Sequence, residues 1–140
     1  MRQLFVDTSA YFALTDKRDE NHKAATQLIH QLIREGTGLL TTNYIVAETH
    51  TLLLNRIGHT IALQVIEELY KSQTRIYRVR EAEERRALEI IRIYTDKEFS
   101  LVDAISFATM ERFHLTEAFA FDHHFAQYGF SLLPAMRSRG

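Results

Sequence analysis

Four carboxylates stand beside or within apolar stretches of this chain: Asp7, Glu48, Asp103 and Asp122. The other aspartates, Asp16, Asp19 and Asp96, lie in polar segments next to Lys17, Arg18 and Lys97. Glu48 has no Lys or Arg within seven residues on either side, so no local ion pair accounts for it. A carboxylate taken out of water without a cationic neighbour is costly unless something else neutralises it. Two of them about 4 Å apart repel by roughly 4 kcal/mol at an effective dielectric of about 20, and four repel more. A divalent cation is the simplest remedy, and all-oxygen ligands of this hardness favour Mg2+ or Mn2+ over zinc. The matching chemistry is phosphoryl transfer or phosphodiester hydrolysis, in which the ion supplies a nucleophilic hydroxide and stabilises the charged transition state.

The elements that must carry these acids can be read from periodicity. Gln3 to Val6 is a short apolar strand, followed by Asp7-Thr8-Ser9 as a turn and cap into a helix around Ala10 to Leu14. Polar Thr15 to Asn21 predicts a loop, and Ala24, Leu28 and Leu32 recur at helical spacing until Gly36. Leu39 and Leu40 look like a second strand. A helix from Asn43 toward Arg56 and another from Thr60 to Lys71, parted by Gly58, make a helical hairpin. Ile76 and Tyr77 suggest a third strand, then a charged helix with Ala87, Leu88, Ile91 and Tyr94 facing inward. Ser100 caps a helix from Leu101 to Phe113, Ala118 to Phe121 reads as a fourth strand closed by Asp122, His123 to Tyr128 as a short helix, and Phe130 to Leu133 as a last strand.

Short strands alternating with helices argue an α/β fold, a parallel sheet with helices on both faces. In such sheets ligands bind outside the carboxyl ends of the strands, where the strand order reverses. Asp7 and Asp122 both occupy strand carboxyl ends. Glu48 lies roughly 40° from Leu52 and about 60° from Ile45 around its helix, at the edge of the buried stripe.

Each acid also has an ordinary structural explanation. Asp7 and Asp122 can cap the helices that follow them. Glu48 can extend its stem and keep its head in water. Asp103, three residues after Ser100, fits a capping box and is favoured by the helix dipole. What independent caps do not require is that four acids from different elements surround one crevice.

Composition bounds the remainder. A chain of 140 residues suits one domain, here 1–136 with a short basic tail at 137–140 carrying Arg137 and Arg139. Absence of cysteine removes disulfides, thiolate zinc sites and cysteine nucleophiles. No export signal or membrane-length apolar run is apparent, so cytoplasm is the expected location and no membrane partner is expected. With a formal net charge of -1, affinity for nucleic acid must come from local patches or from a metal. Arg78, Arg80, Arg85 and Arg86 offer such a patch, although Glu81, Glu83, Glu84 and Glu89 interleave with them, and a solvated helix laced with ion pairs explains the run equally. His123 and His124 are adjacent, so a helix would turn them in different directions, and no HExxH spacing exists. A histidine zinc site is therefore set aside, as are P-loop and GxSxG chemistries.

At LFVDTSAYFAL, TTNYIVAETHTLL, SLVDAISFATM and AFAFDHHFAQYGF the chain resembles a PIN-domain ribonuclease, in particular the small VapC-like toxins of prokaryotic toxin-antitoxin pairs. The resemblance implies a three-layer α/β/α fold with a central parallel sheet of four to five short strands, the first and fourth adjacent. It makes Asp7, Glu48 and Asp103 the central metal-binding acids and Asp122 the more variable fourth. Ser9 matches a small hydroxyl residue that orients a ligand or water, with Thr8 beside it. Some relatives carry a further acid shortly after the fourth, where this chain has His123 and His124. Implied as well are Mg2+- or Mn2+-dependent hydrolysis of RNA to 5'-phosphate and 3'-hydroxyl ends, a homodimer, and a small antitoxin protein whose segment reaches the acidic groove. A catalytically inactive PIN module binding RNA or protein is the non-enzymatic alternative. A phosphatase of haloacid-dehalogenase type would need a second aspartate where Ser9 stands.

Overall fold

A computed structural model describes residues 2–135, so the basic tail expected at 137–140 lies outside the described residues. The chain runs β1 (Gln3–Val6), α1 (Thr8–Thr15), α2 (His22–Arg34), β2 (Gly38–Thr42), α3 (Asn43–Arg56), α4 (His59–Lys71), β3 (Arg75–Tyr77), α5 (Glu81–Ile93), α6 (Leu101–Arg112), β4 (Glu117–Phe119), α7 (His124–Tyr128) and β5 (Ser131–Leu133). Five strands form one sheet in the order β3-β2-β1-β4-β5, with every pairing parallel.

Alternation along the strands sends side chains to opposite faces. From β1, Leu4 and Val6 join Ala10, Ala13, Ala25, Leu28 and Leu32 under α1 and α2, together with Phe119 of β4. Phe5 goes the other way, to Leu40, Ala118, Ala87, Ile90, Phe107 and Phe125 under α5, α6 and α7. Both sheet faces are thus covered, which is why the strands read as apolar runs rather than half-polar ones. The result is three layers, α/β/α, as anticipated.

The chain passes from β1 to β2 and β3 on one side, then returns through α6 to β4 on the other side of β1. The strand order reverses between β1 and β4, and the crevice at their carboxyl ends is where such a sheet opens to ligands. Helix α6 enters that region from within the protein. All residues from Asp103 to Met110 are buried, so Asp103 is held within the protein even though Leu101 at the helix start is exposed.

Two expectations shift. In α5 the buried stripe is Glu83, Ala87 and Ile90, whereas Leu88 is 46% exposed and does not face inward. Packing of Ala87 and Ile90 into the core with α6 sets that phase. Glu83 is tolerated inside because the Tyr77 hydroxyl donates to its Oε1. The fourth strand ends at Phe119 rather than Phe121, because the Phe121 N–H donates to Ser9 Oγ instead of to a neighbouring strand. Among the described residues no helix is long and apolar enough to cross a membrane.

Candidate metal centre

Asp7 follows β1 directly, and its N–H donates to Phe119 O of the adjacent β4 at 3.1 Å. Its side chain caps α1: Oδ2 accepts the Ser9 N–H at 3.1 Å and the Ser9 hydroxyl at 2.6 Å. The same hydroxyl accepts the Phe121 N–H at 2.9 Å, one residue before Asp122. Ser9 therefore holds the first acid in orientation and anchors the segment that carries the fourth. Only 5% of Asp7 is exposed. Burial pushes its carboxyl up to about 7, against the pull of the two Ser9 hydrogen bonds and with help from the charges of Asp122 and Glu48.

Glu48 comes from the middle of α3, whose start is fixed by the Thr42 hydroxyl accepting the Ile45 N–H. It is half-buried, and its pKa is raised by burial, then by Asp103 and Asp122, with Thr8 acting in the opposite direction. Thr8 is 5% exposed and its Oγ1 lies near Glu48 without a hydrogen bond of normal length and angle.

Asp103 and Ser100 form a reciprocal capping box: Asp103 Oδ2 accepts the Ser100 N–H and Ser100 Oγ accepts the Asp103 N–H, both at 3.0 Å. Burial again raises the Asp103 pKa, Asp122 adds to the rise, and the Ser100 N–H and His124 oppose it. Asp122 follows β4 after Ala120 and Phe121, and its Oδ1 accepts the His124 N–H at 2.9 Å. The ordinary and the chemical explanations of these aspartates are thus both realised. Backbone N–H donors hold each of these carboxylates, and the charge of Asp122 acts on both Asp7 and Asp103.

Sequence reasoning missed His124. Its Nδ1 lies 2.9 Å from Asp122 Oδ1 and 3.2 Å from Asp103 Oδ2, while the neighbouring His123 points outward with 67% of its side chain exposed. The two adjacent rings do not face opposite ways: their centroids are 4.5 Å apart, and Asp122, His123 and His124 bring three possible ligand atoms within 4.8 Å of one another, although His123 stays largely exposed. The usable signal was positional, since the residue occupies the stretch where some relatives place a further acid.

The arginines divide. Arg85 pairs with Glu81, and Arg86 pairs with Glu89 and Glu111. Arg78 and Arg80 are exposed just past the carboxyl end of β3, the same edge of the sheet as the acids, and neither makes an ion pair among the described residues. Nor does any Lys or Arg pair with Asp7, Glu48, Asp103 or Asp122 among the described residues. Three aspartates that accept backbone N–H groups and one glutamate, with no guanidinium or ammonium partner among the described residues, make a donor set that suits a hard divalent cation.

The PIN domain family profile matches residues 4–131. The chain is 34% identical over 127 residues to the 23S rRNA-specific endonuclease VapC20 of Mycobacterium tuberculosis strain H37Rv, covering 91% of this chain and 95% of that one. It is 27% identical over 124 residues to the ribonuclease VapC26 of the same strain, covering 88% and 90%. The crystal structure of VapC20, described as a sarcin-ricin loop cleaving toxin, superposes with a TM-score of 0.83 over 91% of this chain and 95% of that one. FitAcB from Neisseria gonorrhoeae superposes with a TM-score of 0.66 at 17% identity, covering 92% and 95%, and bears on the fold alone.

Proposed function

This chain belongs to the PIN-domain family as a VapC-like nuclease acting on phosphodiester bonds, and on that premise we propose that it is a Mg2+- or Mn2+-dependent endoribonuclease, the toxin of a type II toxin-antitoxin pair. The observation that carries the reading is the proximity of four acids from remote parts of the chain: the charges of Asp122 and Glu48 act on Asp7, those of Asp103 and Asp122 on Glu48, and Asp103 and Asp122 both lie within 3.2 Å of His124 Nδ1. The relative VapC20 is named for its action on 23S rRNA, which makes 23S rRNA the first substrate to try. Cytoplasmic location, a homodimer and a small antitoxin partner complete the proposal.

Asp7, Glu48, Asp103 and Asp122 would hold the divalent ion, which when bound supplies a nucleophilic hydroxide and neutralises charge on the phosphate. The chain's own groups set the geometry. Ser9 fixes Asp7 through two hydrogen bonds, and Ser100 fixes Asp103. Glu48 has the raised pKa of a half-buried carboxylate, and its oxygens accept the proton that the attacking water gives up. Attack at phosphorus expels the 3'-oxygen, which takes a proton from solvent, so the new ends are a 5'-phosphate and a 3'-hydroxyl. Arg78 and Arg80 lie where a bound strand passes, as positioning contacts to phosphate. Arg85 and Arg86 share their charge with glutamates and contribute less.

The deciding experiment incubates the purified full chain with ribosomes and with total RNA in Mg2+ or Mn2+, and maps new ends by ligation that requires a 5'-phosphate. Discrete cuts, absent in Asp7→Asn, are expected. Cuts bearing 5'-hydroxyl ends, or cutting by the variant, overturn the proposal.

A further inference from the structure

Among the described residues His124 has a ring nitrogen within 3.2 Å of both Asp103 and Asp122, and three observations define its setting. Nδ1 is buried, lies 2.9 Å from Asp122 Oδ1 and 3.2 Å from Asp103 Oδ2, and makes no hydrogen bond of proper direction to either. The ring is held in place by an edge-on contact with Phe99, centroids 5.8 Å apart at 89°, and Phe99 is itself 8% exposed. Thr8, only 5% exposed, sits beside Glu48 in the same region, and its hydroxyl acts on Glu48 without a bond of normal geometry. An imidazole nitrogen this close to two carboxylate oxygens is in ion-pair range when protonated, and when the nitrogen carries no proton the same three atoms are spaced to bind one cation. Adjacent ligands of a six-coordinate ion with bonds of about 2.1 Å stand about 3 Å apart, which matches both contacts.

We infer that His124 Nδ1 is a ligand of the divalent ion at this site, giving a mixed nitrogen and oxygen donor set that selects Mn2+ over Mg2+. Imidazole is a softer donor than carboxylate and contributes little to a Mg2+ site, whereas it raises affinity for transition ions. The Asp122 backbone turn places it there: Asp122 Oδ1 accepts the His124 N–H at 2.9 Å, so the acid and the imidazole are set as a unit. His123 has a ligand atom within 4.8 Å of those of Asp122 and His124, but its side chain is 67% exposed and its Nδ1 is 3.9 Å from Asp122 Oδ1, so it serves as the control for His124.

The inference rests on the metal-site reading above, and spectroscopy separates the two. The full chain, labelled with 15N at histidine, is titrated with Mn2+ and examined by electron spin-echo spectroscopy, with Mg2+ and Mn2+ affinities measured by calorimetry and no RNA present. Expected are a histidine nitrogen coupling in the wild type, its loss in His124→Asn, its retention in His123→Asn, and a fall of about tenfold or more in the Mn2+ over Mg2+ preference of His124→Asn. Circular dichroism establishes that the variants are folded, and the wild-type and His123→Asn spectra decide the question if His124→Asn is not. Mn2+ bound without nitrogen coupling, and weakened by Asp7→Asn, overturns the role of His124 and leaves the metal site standing. Coupling lost in His123→Asn instead overturns the assignment, and absence of any Mn2+ binding overturns both readings.

Discussion

Ser9 and Phe121, 112 residues apart in the chain, are joined by a hydrogen bond from the Phe121 N–H to Ser9 Oγ at 2.9 Å. The same oxygen donates to Asp7 Oδ2 at 2.6 Å, so one small side chain sets the spacing between the first acid and the strand end that leads to the fourth. A residue that the family resemblance cast as orienting a ligand or water is, in this fold, engaged with its own protein on both sides. Its influence on chemistry runs through Asp7 and the Asp122 segment.

Ser9→Ala is therefore expected to keep the fold, lower stability by about 1–2 kcal/mol, and reduce RNA cleavage by about tenfold or more. Denaturant unfolding and single-turnover cleavage measured on the same preparation check this. Cleavage at the wild-type rate would remove Ser9 from the positioning scheme.

Stability of the metal-free protein should fall as pH rises. The Asp7 carboxyl lies at about 7 in the folded protein against an ordinary 3.8, so the folded state holds its proton more tightly. Stability from this group is complete below 3.8 and is lost progressively up to and through about 7. Glu48 and Asp103 are shifted in the same direction. In chelator, melting temperature is expected to drop by roughly several degrees between about pH 5 and about pH 8, and Asp7→Asn should flatten the slope. A metal-free protein that gains stability over that interval contradicts the burial argument.

Asp7→Asn and Asp103→Asn retain an oxygen that can accept from Ser9 or Ser100, so each should remain folded, and in chelator be as stable as wild type or more so. Both should lose cleavage altogether, as should the wild-type chain when divalent metal is removed. RNA cut at an undiminished rate by either variant, or in chelator, points to chemistry that does not use these acids.

Removing Arg78 and Arg80 together should weaken RNA binding with little effect on the rate at saturation, and should reduce the slope of log affinity against log salt by about 1–2. Arg85→Ala, whose partner is Glu81, should leave the slope near its wild-type value. Fluorescence anisotropy with a labelled RNA over a range of salt concentrations distinguishes the two pairs. Equal effects would mean that the Glu81 pair does not neutralise Arg85 toward RNA.

Much of this molecule is written in local pattern. The apolar runs around Leu4, Leu40 and Ala118, the helical spacing of Leu28 and Leu32, and the Ser100–Asp103 spacing each depend on neighbours a few residues away, so strand, helix and cap could be read directly, as could the isolation of Glu48 from any nearby cation. Local pattern could not phase α5, where burial of Ile90 rather than Leu88 depends on what the helix packs against and on Tyr77 satisfying Glu83. It could not place His124 either. That ring reaches Asp103 and Asp122 only because β4 lies beside β1 and Phe99 blocks the other direction, relations that exist between segments far apart in the chain. Residue type and short-range spacing determined which groups could act and which elements carry them. The order of the strands and the packing of helices across them decided which of those groups meet, because long-range contact is settled by the burial of whole faces rather than by any one neighbour.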